Sequence, residues 1–361
     1  MKIYSETFRK WFKVLEMYQD KGDQVRESIY LNFKDSYCYF ASSEGVGKLK
    51  FYFEKELDEE EIPNFFINTN KFLNIISQYD EINLNDKFVF SNGKDKYKIA
   101  VLVDDELFDD STINSDFNGN EIEFTKDQVA QINIASSFTN KDEQNINYRN
   151  IFIKDKHICS LTTQTPMYEA KFDSDVKVVI SLNTSKTINT VGMISEGCFL
   201  INSEKSSNIK ILSRDRELEV IVAGCSSDEF PPNRTQNFID SYTYNTIAKI
   251  ETVKLSKALQ SLRPYYNEVI NAKVSFLFND DDLLIKVSDT QNEIEKHVEV
   301  QECDEKLKNN EIFLSASKVE QILGVLKDPV LIMDIPTDES KPIVNFWNDE
   351  KQHLLMTRFK S

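Results

Sequence analysis

A threefold internal repeat is the feature that most constrains how this chain can fold. A short β-type stretch runs directly into an amphipathic helical stretch three times, near Ile3, Ile122 and Ile250. These points lie 119 and 128 residues apart in a chain of 361 residues. Because a recurring period marks a recurring structural unit, the sequence predicts three domains of about 120 residues each.

Each repeat contains two amphipathic helical patterns. Apolar residues recur at i, i+4 and i+7, as at Leu255, Leu259 and Leu262, and this is the spacing of one helical face. The six predicted helices span 5–18, 68–79, 125–138, 181–194, 253–266 and 315–327.

Local signals mark several of these helix ends. Ser5 is the predicted N-cap of the first helix, because a hydroxyl can accept from the free N–H groups of a first turn. Thr125 and Gln128 match the capping-box pattern. Pro264 marks the point where the regular helix of 253–266 is expected to end.

Short alternating stretches separated by turn signals follow the helices. The clearest are 81–84, 87–90, 97–102, 330–334, 343–346 and 352–356. Strands that outnumber amphipathic helices favour an α+β fold of three repeated domains, each with two helices packed on antiparallel sheets. Polar loops at 109–120 and 236–245 place the domain boundaries at 1–115, 116–242 and 243–361.

The predicted helices are basic although the chain is acidic. The sequence contains 43 Lys and Arg against 60 Asp and Glu, a formal net charge of −17. The 81 helical residues carry eleven basic and four acidic side chains, so they hold +7 and the other 280 residues hold −24. Such a protein would attract a polyanion at its helices alone. Solvation of exposed helix faces also favours Lys, so a purely structural reading stays open.

Residue types that perform catalysis or bind metals are not grouped along the chain. The five cysteines are scattered and never in Cys-x-x-Cys spacing, which favours buried free thiols over disulfides or zinc ligands. His157, His297 and His353 lie far apart, so each is interpreted as structural. The sequence therefore predicts no enzyme, no metal site and no cofactor.

No apolar run approaches the roughly 18 residues of a membrane-spanning helix. The first residues, Met1 to Ser5, show no signal-peptide pattern. These two observations predict a cytoplasmic protein that has no membrane partner.

Three local motifs and the order of the repeats together point to a known family. The motifs are the Phe230-Pro231 end of the middle repeat, the helix Lys71-Phe72-Leu73-Asn74-Ile75-Ile76 and the tail Leu354-Leu355-Met356-Thr357-Arg358-Phe359. With the three-copy pattern, they resemble the bacterial DNA polymerase III beta subunit family, the DNA sliding clamps. The resemblance covers essentially the whole chain and rests on order, spacing and length together.

The resemblance implies a ring-shaped homodimer with three clamp domains per chain and twelve helices around a hole that admits double-stranded DNA. It implies a processivity factor for DNA replication that encircles DNA without sequence specificity and tethers the DNA polymerase, after loading by a clamp-loader ATPase. The helix residues that would face DNA are Arg9, Lys10, Lys13, Lys71, Lys126, Lys186, Lys254, Lys257 and Lys318.

The resemblance also implies a partner-peptide pocket between the middle and last domains. The matching positions are Tyr148, Thr163, Thr165, Pro166, Met167, Tyr168, Pro231, Thr235, Leu355, Met356, Thr357 and Arg358. The family's Asp-Gly-His-Arg-Leu stretch is replaced here by residues 164–168, and its Met-Pro-Met-Arg tail by residues 355–358. We hypothesise that this divergence suits a phage-encoded or otherwise specialised clamp. Ordinary packing between domains is the alternative reading of these residues.

Dimerisation in the family joins the first domain of one chain to the third domain of another. This implies that Tyr265 and Tyr266 are interface residues opposite the hairpin 94–103, although the same tyrosines would suit a core equally well.

Two functions from other classes stay open on the residues alone. One is a structural virion or scaffold protein of repeated β-rich domains, and the other is a β-rich hydrolase with paired carboxylates. Neither predicts positive charge concentrated on the helices.

Overall fold

The computed structural model describes most of the chain. The described residues are 1–55, 62–104, 107, 117, 119–140, 142, 149–160, 166–203, 207–225, 242–266, 273–279, 281–288, 293–338 and 341–359. They form two compact units. Unit 1 comprises Met1–Asn133 and Asn183–Ser226, and unit 2 comprises Ile134–Leu182 and Ser227–Ser361. Each unit contains strands from two of the three sequence repeats, and the boundaries of the three domains stay a prediction.

Six helices were predicted, and the described residues contain seven helical segments at the corresponding places. They are α1 (Glu6–Lys10), α2 (Phe12–Met17), α3 (Thr69–Ile76), α4 (Lys126–Ser137), α5 (Leu182–Ile194), α6 (Thr252–Tyr266) and α7 (Ala316–Val325). The apolar stripes point inward as the spacing indicates, since Leu255, Leu259 and Leu262 are all fully buried.

The strands are short and numerous. They are β1 (Lys2–Tyr4), β2 (Ser28–Asn32), β3 (Tyr37–Ser42), β4 (Gly45–Lys50), β5 (Phe53–Glu54), β6 (Phe65–Asn68), β7 (Glu81–Leu84), β8 (Val89–Asn92), β9 (Asp95–Lys98), β10 (Val101–Leu102), β11 (Ile122–Thr125), β12 (Asn150–Lys154), β13 (His157–Ser160), β14 (Met167–Lys171), β15 (Val178–Ser181), β16 (Gly197–Asn202), β17 (Asn208–Ser213), β18 (Leu218–Ala223), β19 (Ile247–Glu251), β20 (Lys273–Phe278), β21 (Asp282–Ser288), β22 (Glu293–Cys303), β23 (Asn310–Ser315), β24 (Val330–Asp334), β25 (Ile343–Trp347) and β26 (His353–Thr357).

Every strand pair that the structure describes is antiparallel. Unit 1 contains a five-stranded sheet, β5-β1-β7-β8-β9, and a nine-stranded sheet, β10-β6-β2-β3-β4-β18-β17-β16-β11. Unit 2 contains a twelve-stranded sheet, β15-β12-β13-β14-β26-β25-β24-β19-β22-β21-β20-β23. Pairing of β4 with β18, and of β14 with β26, joins strands from different repeats within one sheet. The predicted α+β fold with antiparallel sheets is confirmed.

The first predicted helix is interrupted, which the periodicity did not indicate. Trp11 lies between α1 and α2 with φ −99° and ψ 12°, outside the helical region, and is fully buried. Ser5 precedes α1 as predicted, but its side chain does not cap the helix. Its backbone is helical (φ −85°, ψ −17°), whereas a capping hydroxyl needs the extended backbone of an N-cap.

Of the other local predictions, one is confirmed and two differ from the structure. The capping box of α4 is confirmed: Thr125 N–H donates to Gln128 Oε1 (2.8 Å) and Gln128 N–H donates to Thr125 Oγ1 (3.3 Å). The predicted range 253–266 agrees with α6, but the helix stays regular past Pro264 and continues to Tyr266. Pro264 lies in the last turn, where its missing N–H removes a single helical hydrogen bond.

The predicted single strand 97–102 is wrong, since β9 and β10 belong to different sheets.

Close packing joins α4 to α5 inside unit 1. A Cβ added at Gly192 would lie 2.5 Å from a methyl carbon of Val129, a separation that real Cβ atoms do not reach. The absence of a side chain at Gly192 therefore allows the two helices to approach. Val129 is fully buried at this contact.

We expect Gly192→Ala to lower the free energy of unfolding by about 1–3 kcal/mol, because the added methyl group overpacks the helix contact. In a Val129→Ala background the contacts at 2.5 and 3.0 Å are removed, and only the Cβ at position 129 stays close, at 3.3 Å. The same substitution should then cost much less or be neutral, since Ala is favoured over Gly in a helix. Urea unfolding of the four proteins measures both effects. Equal effects of Gly192→Ala in the two backgrounds would contradict this explanation.

Candidate nucleic-acid interface and peptide pocket

The helices of unit 1 form a continuous series of neighbours. Phe8 of α1 packs edge-on against Phe72 of α3, with ring centroids 5.0 Å apart. Thr190 Oγ1 of α5 lies 3.4 Å from Met17 Sδ of α2. With the α4–α5 contact at Gly192, these contacts link α3, α1, α2, α5 and the first turns of α4. In unit 2, α6 contacts α7 through Arg263 and Glu320 (2.7 Å).

The helices retain the predicted excess of positive charge. Within the observed helix bounds there are ten basic and four acidic residues. Lys327, which was counted with the last helix, lies beyond α7. Helices with a net charge of +6 thus occur in a chain with a net charge of −17. This local excess is suited to phosphate groups.

Four of the nine predicted DNA-facing residues are exposed lysines without an ion pair among the described residues. They are Lys13, Lys71, Lys186 and Lys257. Lys13 and Lys186 lie one helical turn before Met17 and Thr190, so both flank the α2–α5 contact. These ammonium groups are available to a ligand.

Lys318 is a fifth predicted residue with no ion pair in the described part of the chain, but it is only partly exposed. Burial lowers the pKa of its ammonium group, because a charge removed from water without a counter-charge is disfavoured. A phosphate at this position would supply the missing negative charge.

The other four predicted residues already bind carboxylates of this chain. Arg9 binds Asp80 (2.6 Å) and Lys126 binds Glu196 (3.4 Å).

The remaining two are each bound by two carboxylates. Lys10 binds Glu217 (2.8 Å) and Asp215. Burial alone would lower the pKa of Lys10, but these hydrogen bonds raise it overall. Lys254 binds Glu251 (2.8 Å) and Glu299 (2.6 Å).

The structure brings together two segments of the predicted peptide pocket. Met167 of β14 pairs with Leu355 of β26, and Tyr168 pairs with Leu354. Pro166 precedes β14 and is buried, whereas Thr357 at the end of β26 is exposed. The remaining predicted positions lie outside the described residues; they are Tyr148, Thr163, Thr165, Pro231 and Thr235.

Several pocket residues are more deeply buried than a peptide-binding surface requires. Tyr168, Leu355 and Met356 are at most 2% exposed, and the Tyr168 ring stacks on Phe138 at 5.9 Å. Met167 is partly exposed. Arg358 donates to the carbonyl oxygens of Pro336 (3.4 Å) and Asp338 (2.8 Å). Core packing therefore accounts for part of this set, and among its described apolar members Met167 is the one that stays accessible.

A polar row that sequence reasoning missed lies beside Met167 and Leu355. Cys159, Glu169 and His353 are directly paired across β13, β14 and β26, so their side chains share one face of the sheet. His157 Nδ1 lies 3.5 Å from Glu169 Oε1. Because these residues are up to 196 positions apart, only the strand register reveals the row.

His353 is held neutral in this row. Burial, and secondarily the charge of Lys351, lower its pKa to about 4. Its Nδ1 lies 3.2 Å from Asn345 Oδ1, an acceptor, so the Nδ1–H tautomer fits. The ring stacks on Trp347 with centroids 6.0 Å apart. This environment favours a structural histidine.

We expect protonation to make His353 a source of acid sensitivity. The unfolded chain binds a proton near pH 6.5 and the folded chain only near pH 4, so stability falls as the pH drops between these values. From pH 7 to pH 5 the wild type should lose about 1–2 kcal/mol more than His353→Gln, allowing for partial exposure. Denaturant unfolding at both pH values measures the difference. Equal losses in the two proteins would contradict this role.

The two predicted dimer residues occupy different environments. Tyr266 is 2% exposed and its hydroxyl donates to the carbonyl oxygen of Leu259 (3.0 Å), so it belongs to the core of unit 2. In this position it is not accessible to a partner chain. Tyr265 is 45% exposed. The predicted hairpin 94–103 is wrong, because β9 pairs with β8 whereas β10 pairs with β6 in another sheet. Among the described strands, β9 lies at the edge of the five-stranded sheet.

In the part of the chain that the structure describes, no helix is long and apolar enough to cross a membrane. Among the same residues, no three His, Cys, Asp or Glu side chains are grouped so as to hold a metal ion. Burial raises the pKa values of the Cys38, Cys159 and Cys198 thiols, which disfavours reactive thiolates.

This chain is similar to known proteins in its fold but not in its sequence. No protein-family model matches the chain, and no curated protein matches it in sequence. Solved structures match over the full length. The DNA polymerase III beta chain of Streptococcus pneumoniae is 11% identical with a TM-score of 0.81, covering 100% of this chain and 99% of that one.

Two further solved structures give the same result. The DNA polymerase sliding clamp of Bacillus subtilis is 13% identical with a TM-score of 0.78, covering 100% of this chain and 98% of that one. The DNA polymerase III beta subunit of Thermotoga maritima is 13% identical with a TM-score of 0.77, covering 100% and 99%. The chain therefore has the fold of the bacterial DNA polymerase III beta subunit, as the resemblance implied.

Proposed function

We propose that this chain is a sliding clamp, a processivity factor that encircles duplex DNA without sequence specificity and tethers a DNA polymerase. One observation carries the proposal: a chain with this fold and a net charge of −17 concentrates positive charge on its helices. In a clamp, those helices would line the hole that holds DNA. The acidic remainder of the surface would repel DNA.

The closed ring itself would keep the protein on DNA, although its contacts with DNA are weak. A closed ring around DNA needs only weak, screened contacts to phosphates, and such contacts carry no sequence information. Lysines with mobile ammonium groups suit this role because they exchange phosphates easily as the ring moves. A polymerase bound to the ring would stay at high effective concentration near the primer end.

The ring would be a homodimer of two chains with three domains each, at 1–115, 116–242 and 243–361. The exposed ring of Tyr265 supports a contact with a partner chain, since exposed aromatic residues are frequent interface anchors. The free edge of β9 could meet the same partner. Tyr266 would support Tyr265 from inside the core.

The partners would be double-stranded DNA, a DNA polymerase and a clamp-loader ATPase, in the cytoplasm. Met167, as the accessible apolar residue beside Leu355, would contact the polymerase or loader peptide, and its flexible side chain suits varied peptides. The clamp itself would break and form no covalent bonds, because the loader would supply the energy for opening the ring.

Retention on circular DNA tests the proposal. Chains are reassociated by dilution from high salt in the presence of nicked circular duplex DNA, and DNA-bound protein is separated by gel filtration. We expect protein to stay on the circle at moderate salt and to be lost after one restriction cut, because a ring slides off a free end. A matched sample reassociated with linear DNA is the control.

Equal retention on circular and linear DNA would contradict a topological link and indicate ordinary binding. Association with assembled particles in place of circular DNA would favour the structural virion or scaffold function.

A further inference from the structure

The lysines on the helices belong to two electrostatic classes that the sequence does not distinguish. Lys10 and Lys13 are three residues apart, yet Lys10 binds two carboxylates and Lys13 binds none among the described residues. The same contrast recurs in unit 2, where Lys254 binds two carboxylates and Lys257 binds none in the described part of the chain. Both pairs therefore provide matched comparisons within one short segment.

A doubly paired lysine is a poor phosphate ligand. Lys10 with Asp215 and Glu217 has a local net charge of −1, and Lys254 with Glu251 and Glu299 has the same. A phosphate that approaches either ammonium group meets two carboxylates and must displace them. The side chains around Lys10 are only 21–34% exposed, so these ion pairs are less screened than surface pairs.

The carboxylates around Lys10 also have a structural task. Asp215 and Glu217 lie in the turn between β17 and β18, over 200 residues from Lys10 in sequence. Glu217 additionally accepts from Trp11 Nε1 (3.4 Å), at the break between α1 and α2. Lys10 thus attaches α1 to the β17–β18 turn of the same unit.

We propose that Lys13, Lys71, Lys186 and Lys257 carry the phosphate contacts, whereas Lys10 and Lys254 are positioning residues that hold helices against strands. This inference rests on the proposed function and divides its DNA-facing set. Lys13 and Lys186 each lie about 6 Å along their own helix from the Met17–Thr190 contact.

The salt dependence of DNA association distinguishes the two classes. A short fluorescent duplex is titrated with wild-type protein and with Lys13→Gln, Lys257→Gln, Lys10→Gln and Lys254→Gln across a salt series. Each lost phosphate contact reduces the slope of log K against log salt by about 1. We expect this reduction for Lys13→Gln and Lys257→Gln. Lys10→Gln and Lys254→Gln should leave the slope unchanged and lower the midpoint of thermal unfolding.

Removing the carboxylates that bind Lys10 gives an independent test, because it predicts a gain of a phosphate contact and not a loss. Asp215→Asn with Glu217→Gln removes both carboxylates and frees the ammonium group, so the slope should become steeper by about 1. Adding Lys10→Gln to this double variant should abolish the gain. If the gain persists without Lys10, it reflects general charge and the inference is wrong.

The outcomes separate this inference from the proposed function. Suppose that the wild type associates with DNA and that all four Lys→Gln variants reduce the salt slope equally. The division of the lysines into two classes is then wrong, but the clamp proposal survives. If the wild type stays on circular DNA but does not associate with the short duplex at any salt concentration, the assigned phosphate contacts are wrong and the clamp proposal survives. If it does neither, both fail. Lys13→Arg, which keeps the charge, should behave as the wild type, and failure to do so would contradict an electrostatic role.

Discussion

Antiparallel strand pairing between sequence repeats is the interaction on which the rest of this structure depends. β4 and β18 pair through five residues on each strand and join the first repeat to the second in one nine-stranded sheet. The pairing is tight at Gly47, where an added Cβ would lie 2.6 Å from the carbonyl oxygen of Glu219. β14 and β26 join the second repeat to the third. Each junction covers strand edges that would otherwise be free to aggregate.

These junctions also determine where charge is placed. Because β18 lies against β4, the turn before β18 brings Asp215 and Glu217 to Lys10 of the first repeat. This strand pairing therefore explains why Lys10 is neutralised within the chain. In the proposed clamp, the helix lysines that have no ion pair among the described residues would provide a weak attraction to phosphates.

Features that depend on neighbours in sequence could be predicted from the sequence. The helix positions, the capping box of Thr125 and Gln128, the antiparallel α+β class and the excess of basic residues on helices all follow from local patterns. Features that depend on tertiary contacts could not. A continuous apolar stripe gave no sign of the break at Trp11, and alternation through 97–102 gave no sign that β9 and β10 enter different sheets. The same limit applies to the candidate site. The resemblance to a known family placed Met167 and Leu355 together. The burial of Tyr266 and the carboxylate partners of Lys10 could be found only in the structure.

The central claim is that two chains close one ring, and the native mass in solution tests it most directly. Light scattering across a concentration series at moderate salt should give about twice the 41.9 kDa of the chain. That value is the stoichiometry of a six-domain ring. A mass of one chain at every concentration, both alone and with circular DNA, would contradict the claim.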